Sequence, residues 1–121
     1  MNLSARSLKA FIGARDYALS RKFYRALGWQ LYDITPDLTD VSRGDHHFLL
    51  QRYYEKTWCE NTMLFLEVDD AAAWRAHIDA VLAADDYGEA RALGPKQDGT
   101  SLMTNLIDPS GVLWNIIQFN Q

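Results

Sequence analysis

The chain has 121 residues, 48% of them hydrophobic and 23% charged, with a formal net charge of −4 at pH 7. That length supplies one domain with a modest core. No apolar stretch nears the roughly 18 residues that span a bilayer, and the acidic balance argues against nucleic acid as a partner. Met1-Asn2-Leu3-Ser4-Ala5-Arg6 lacks the apolar segment of a secretory signal, and a lone cysteine, Cys59, excludes an internal disulfide. A cytoplasmic, soluble protein is expected, with no membrane or nucleic-acid partner. Cys59 reads as an inert thiol, since Trp58 and Glu60 beside it do nothing to favour a thiolate.

In chain order, Leu8, Ala10 and Ile12 alternate with Lys9, Phe11 and Gly13, a strand pattern. Asp16 offers an N-cap oxygen, and Ser20, Phe23, Tyr24 and Leu27 follow at helical spacing until Gly28 ends the helix. Short strands are predicted from Trp29 to Ile34, Leu38 to Arg43 and His47 to Tyr54. The plan then repeats. Leu64, Leu66 and Val68 alternate with Met63, Phe65 and Glu67. Asp70 caps a second helix carrying Trp74, Ile78, Val81 and Leu82 and closing near Gly88, and strands follow from Ala90 to Leu93, Ser101 to Asp108 and Val112 to Phe119. Strand, helix and three strands, twice over, is an α+β plan. Each unit covers one sheet face with its helix and leaves the other bare, so two units side by side can curl their bare faces around a shared cleft. Arg6, Lys9, Arg15, Arg21, Lys22 and Arg25 lie in the first 25 residues against only Asp16. This reads as a solvated basic helix face opposite an acidic remainder.

The repeat, the junctions Arg15-Asp16 and Asp69-Asp70, the Phe23-Tyr24 and Leu27-Gly28 pairs, and the final turn and strand Asp108-Pro109-Ser110-Gly111-Val112-Leu113-Trp114-Asn115-Ile116-Ile117-Gln118-Phe119 resemble the vicinal oxygen chelate superfamily (glyoxalase, bleomycin-resistance protein, extradiol dioxygenase). The small bleomycin-resistance-like and glyoxalase-like members are the most similar, also through the segment Phe48–Tyr54 with Trp58 and Asn61–Leu64. The resemblance covers residues 1–121 as a single domain, module one about 5–56 and module two about 60–121. It implies paired βαβββ modules forming a cleft. It also implies a homodimer, often with exchanged modules, in which each cleft is built from both chains.

In the family's metalloenzymes four cleft-facing strands supply metal ligands, and the resemblance sets each matching position here. Seven residues before Asp16 stands Lys9, a cation that repels a metal. Seven before Asp70 stands Met63, a soft thioether unsuited to a hard oxygen-chelating ion. The final-strand glutamate is Asn115, and the remaining ligand falls near Leu50 or Gln51, neither a carboxylate. No metal and no other cofactor is therefore expected. His46 and His47 adjoin each other and in a strand point to opposite faces, and His77 lies beside the apolar stripe of the second helix, a packed or half-exposed position.

What remains is a binding surface. Residues in phase with Lys9, Met63 and Asn115 (Phe11, Phe65, Glu67, Leu113 and Ile117) are expected to face the cleft, and Ala10, Ile12, Leu64, Leu66, Trp114 and Ile116 to pack under the helices. The candidate ligand-binding residues are Lys9, Phe11, Gln51, Tyr53, Trp58, Met63, Phe65, Glu67 and Asn115. Their mix of aromatic and polar groups suits a small organic ligand. Lys9 and Glu67 equally suit an internal ion pair, and the aromatic rings equally suit core or dimer contacts. The leading reading is metal-free small-molecule binding by a protein of the bleomycin-resistance type. An enzyme is the alternative: a glyoxalase-like lyase, isomerase or dioxygenase with a displaced or absent metal, using Lys9 to stabilise an enolate and Glu67 as base. A third reading is a regulatory or scaffold domain with a vestigial cleft. Catalysis itself stays open.

Overall fold

Two helix N-caps set the frame. Asp16 accepts a 3.1 Å hydrogen bond from the Leu19 amide and Asp70 a 3.0 Å bond from the Ala73 amide, each satisfying a donor that the first turn leaves unpaired. A computed structural model describes the backbone of residues 1–98 and 101–119 and the side chains of 1–94 and 102–119. The elements are β1 (Phe11–Gly13), α1 (Tyr17–Ala26), β2 (Gln30–Thr35), β3 (Leu38–Arg43), β4 (His46–Gln51), α2 (Lys56–Glu60), β5 (Met63–Glu67), α3 (Ala71–Ala84), β6 (Arg91–Asp98), β7 (Ser101–Ile107) and β8 (Leu113–Phe119). They build two four-stranded sheets, ordered β1-β4-β3-β2 and β5-β8-β7-β6. In each sheet the first strand pairs parallel with the last, and the others pair antiparallel. The second module thus repeats the first, as the sequence pattern predicts.

The helix-covered faces of the two sheets meet in one core. Ser20, Phe23, Tyr24 and Leu27 of the α1 stripe are buried, as are Ile78 and Val81 of α3, with Trp74 and Leu82 half-buried beside them. Ile12, Val41, Phe48 and Leu50 line the first sheet on this side, and Leu106, Trp114 and Ile116 the second. The Trp114 ring lies 5.9 Å from that of Tyr24, 5.4 Å from Trp29 and 5.5 Å from Phe48, tilted or edge-on, so one side chain of β8 packs against three rings of the first module.

Several boundaries differ from the sequence pattern. Strand β1 starts at Phe11, so Leu8 is 97% exposed and Ala10, expected under the helices, is exposed as well. The ladder to β4 covers only Phe11–Gly13, with the Leu49 amide reaching back to the Ala10 carbonyl at 2.9 Å. Strand β4 stops at Gln51, so residues 52–54, read as its end, are a bend and irregular chain leading into α2, which the Glu55 side chain caps on the Thr57 amide. Helix α3 ends at Ala84, before Gly88, because Asp85 is extended and the Asp86 carboxylate holds the Gly88 amide in a separate turn. Strand β6 runs on to Asp98 through a register shift between Leu93 and Lys96. The Arg75 guanidinium of α3 reaches the Leu93 carbonyl beside that shift and donates to Thr104 Oγ1 at 3.2 Å.

Several basic residues of the first module find acids within the chain. Arg21 pairs with Asp33, Lys22 with Asp85 at 2.5 Å, and Arg15 lies 3.9 Å from Glu89.

Candidate functional site

Since both helix-covered faces are turned toward the common core, the two bare faces look outward. Strand alternation decides what they carry. On the first sheet, ladder partners place Phe11, Leu49 and Asp40 on one face and Ile12, Leu50 and Thr39 on the other. Phe11 is 47% exposed while Ile12, Leu50 and Thr39 are fully buried. On the second sheet Met63, Phe65 and Glu67 stand beside Leu113, Asn115 and Ile117. Met63 is 66% and Phe65 61% exposed, whereas Trp114 and Ile116 in the opposite phase are buried. The Phe65 and Phe119 rings stack at 6.3 Å on this second face.

The predicted site residues therefore fall into two groups on two surfaces. Lys9, Phe11 and Gln51 belong to the first, Met63, Phe65, Glu67 and Asn115 to the second. A single chain does not bring the groups together, because the core lies between the faces that carry them. Side-by-side modules curling their bare faces around one cleft is thus not the arrangement of one chain. Leu50 is fully buried on the core side, so of the two candidates for the fourth position only Gln51, half-buried, shares the face of Phe11.

Trp58 and Tyr53 close one end of the first face. Gly13 shares the Phe11 phase, and a Cβ built on it would lie 2.6 Å from Trp58 Cζ3 and 2.7 Å from the Tyr53 carbonyl oxygen. Only glycine permits α2 to approach the strand this closely. The Tyr53 and Trp58 rings lie 6.0 Å apart, Tyr53 exposed and Trp58 half-buried. Cys59 beside them is buried, and burial pushes its thiol pKa up, away from a reactive thiolate.

Lys9 does not pair with Glu67. Its ammonium donates to Asp40 Oδ2 at 2.6 Å, and His47 Nδ1 lies 2.8 Å from Asp40 Oδ1. The Asp40 side chain is only 13% exposed. Burial alone would raise its carboxyl pKa, but the hydrogen bonds from Lys9 and His47 outweigh that and hold it below the ordinary value. Sequence reasoning missed this trio. Asp40 and His47 sit seven residues apart on strands joined by a tight turn, and only the β3–β4 register, with Asp40 opposite Leu49, makes them diagonal neighbours. His77 lies on the exposed side of α3, where Nε2 meets the Leu27 carbonyl oxygen at 2.8 Å, joining the modules without touching either bare face.

Asn115 is already engaged within its sheet. Its Oδ1 accepts from Asn105 Nδ2 at 2.9 Å, and its Nδ2 donates to the Leu64 carbonyl at 3.3 Å. The residues at the family's four ligand positions do not fit a divalent ion: Lys9 is an ammonium held by a carboxylate, Met63 an exposed thioether, and Gln51 and Asn115 are amides. Among the described residues there is no group of three or more His, Cys, Asp or Glu side chains placed to hold a metal. No helix among them is long and apolar enough to cross a membrane.

These features define the class. The chain has the paired βαβββ fold of glyoxalases, bleomycin-resistance proteins and dioxygenases, the vicinal oxygen chelate fold. It is similar to the bleomycin resistance determinant encoded on the transposon Tn5, with a TM-score of 0.79 and 21% identity over 97% of this chain and 100% of that one. A bleomycin-binding protein solved with bleomycin gives a TM-score of 0.76 and 22% identity, covering 94% and 98%. A lactoylglutathione lyase from Agrobacterium tumefaciens gives 0.68 and 15%, covering 95% of each chain. No protein-family model and no curated protein sequence matches the chain.

Proposed function

We propose that this is a small-molecule-binding protein that works as a homodimer, each cleft drawing its walls from both copies, and that it binds its ligand without a metal. The observation that carries the reading is the pair of outward faces. Phe11 on one sheet and Met63, Phe65 and Phe119 on the other are large apolar side chains between 45% and 66% exposed. Apolar side chains clustered on one face mark a surface meant to be covered. Folding a second copy against them supplies the enclosure that a small ligand needs.

The walls so formed mix flat rings with Gln51, Glu67 and the Lys9–Asp40 pair, which suits a planar organic molecule with a few polar groups. Binding proteins of this fold crystallised with bleomycin support a sequestering or transporting role. The metal-free part rests on the donor chemistry of Lys9, Gln51, Met63 and Asn115. The test has three readouts on the full chain purified without added metal: sedimentation for twice the chain mass, elemental analysis for metal, and tryptophan fluorescence during titration with bleomycin and a panel of planar organic compounds. A monomer with no quenching by any compound overturns the binding reading, and stoichiometric nickel, zinc or iron overturns the metal-free one.

A further inference from the structure

We infer that the junction of the modules carries a second ligand site, in which the Arg43 guanidinium takes a small carboxylate with a flat apolar body. A cavity of about 180 Å³ opens there, lined by Arg43 of β3 and by Ala73, Trp74 and His77 of α3. It lies apart from the outward faces. Arg43 shares the phase of Thr39 and Val41, which are fully buried on the helix-covered side of the first sheet. The site is built within one chain and does not need a partner copy.

The guanidinium is held in place before any ligand arrives. It lies 4.9 Å over the Trp74 ring, and one of its N–H groups donates to the Gly28 carbonyl at 3.3 Å. Gly28 makes that approach possible: its φ is +102°, and a Cβ there would come within 2.9 Å of Arg43 Nη1. Among the described residues no acid pairs with Arg43, in contrast to Arg15, Arg21, Lys22 and Arg52. Its remaining N–H donors keep the planar fork that matches a carboxylate.

Nothing in the lining opposes a negative charge. His77 Nε2 lies 2.8 Å from the Leu27 carbonyl, which only accepts, so that nitrogen carries a proton and the ring is neutral or cationic. The Asp70 carboxylate behind Ala73 is engaged as the helix cap, accepting from the Ala73 amide at 3.0 Å, and is outside the lining. One fixed cation, one imidazole, one indole and no acid make a wall that selects an anion. The volume is that of about six waters, enough for a single ring, which finds apolar contact on Trp74 and Ala73. Arg43 belongs to one module and Trp74 to the other, so an occupant bridges them and stabilises the fold by mass action.

The test titrates the full chain with sodium benzoate and, in parallel, with benzamide, a neutral molecule of the same shape. Nitrogen NMR follows the Trp74 indole N–H and the Arg43 Nε–H. The expected result is saturable movement of both signals by benzoate, with a Kd on the order of 1 mM, and a response to benzamide about 10-fold weaker. Benzoate also raises the melting temperature. Arg43→Gln is expected to lose the benzoate response by a similar factor with unchanged circular dichroism. Should that variant fail to fold, the wild-type contrast between benzoate and benzamide decides alone. Equal responses to the two compounds overturn the proposal. So does an identical response to sodium sulfate at matched ionic strength, which would mean only screening of a surface arginine. Benzoate that moves the signals of Phe65 and Phe119 and not those of Arg43 and Trp74 also overturns it, and leaves the reading of the outward faces standing. A monomer that still binds benzoate at Trp74 does the reverse, supporting this site and removing the dimer.

Discussion

The Tyr24 hydroxyl donates a 2.7 Å hydrogen bond to Asp108 Oδ2, tying the helix of the first module to the final turn of the second across 84 residues of chain. The other carboxylate oxygen takes the amides of Ser110 at 2.8 Å and Val112 at 2.9 Å, and the Trp114 indole donates to the same hydroxyl at 3.0 Å. All three side chains are buried. Burial is the main influence on Asp108 and pushes its carboxyl pKa up, against the pull of the hydrogen bonds it accepts from Tyr24, Val112 and Ser110. The Asp-Pro-Ser-Gly turn that marks the fold in the sequence is therefore the docking point of one module on the other.

Tyr24→Phe keeps the ring and its packing but leaves Asp108 Oδ2 and the Trp114 indole N–H without their buried partner. The expected loss is about 2 kcal/mol, read as a lower urea midpoint with an unchanged slope. Since the bond joins modules, the variant is also expected to expose amides around Ser110–Val112 to hydrogen exchange before those of β8.

Gly13→Ala tests the close approach of α2. The new methyl would sit 2.6 Å from Trp58 and 2.7 Å from a backbone oxygen, and the backbone side has little freedom to yield. Overpacking of this kind costs about 1–3 kcal/mol. A lower melting temperature with altered tryptophan emission is expected, and a wild-type melting curve would show that α2 moves aside freely.

Much of this architecture is legible in the sequence, for identifiable reasons. Asp16 and Asp70 announce helix starts through local hydrogen bonds, and Leu38–Arg43 is found where alternation puts it because one face of that strand is buried. Helix α2 escapes because five residues carry no periodicity. The candidate faces are legible residue by residue through the period of two, yet their mutual placement is not. Whether Phe11 and Phe65 share a cleft depends on which sheet faces enter the core, and that is decided by long-range contacts such as Trp114 on Phe48. The Lys9–Asp40–His47 trio depends in the same way on the diagonal register of β3 and β4.

Asp40 gives a pH test with a definite sign. Its folded carboxyl titrates below the ordinary aspartate value, so the folded state binds the proton less readily than the unfolded chain. Its contribution to stability is therefore present above about pH 4 and lost as pH falls through the folded value. The stability gap between wild type and Asp40→Asn should be widest near pH 6 and close toward pH 3 in urea titrations. A gap independent of pH would mean that the carboxylate charge contributes nothing.

Phe65→Glu separates folding from association. The ring is 61% exposed in one chain and lies on an edge strand whose opposite side makes the core contacts. Its replacement should change monomer stability by no more than about 0.5 kcal/mol. A carboxylate in the middle of a covered apolar face must instead be desolvated, which costs association far more than folding. The variant is expected to sediment as a monomer at concentrations where the wild type is a dimer, with unchanged circular dichroism and weakened ligand quenching. A dimer of undiminished affinity would put the interface on another surface, and the paired outward faces would then need a different occupant.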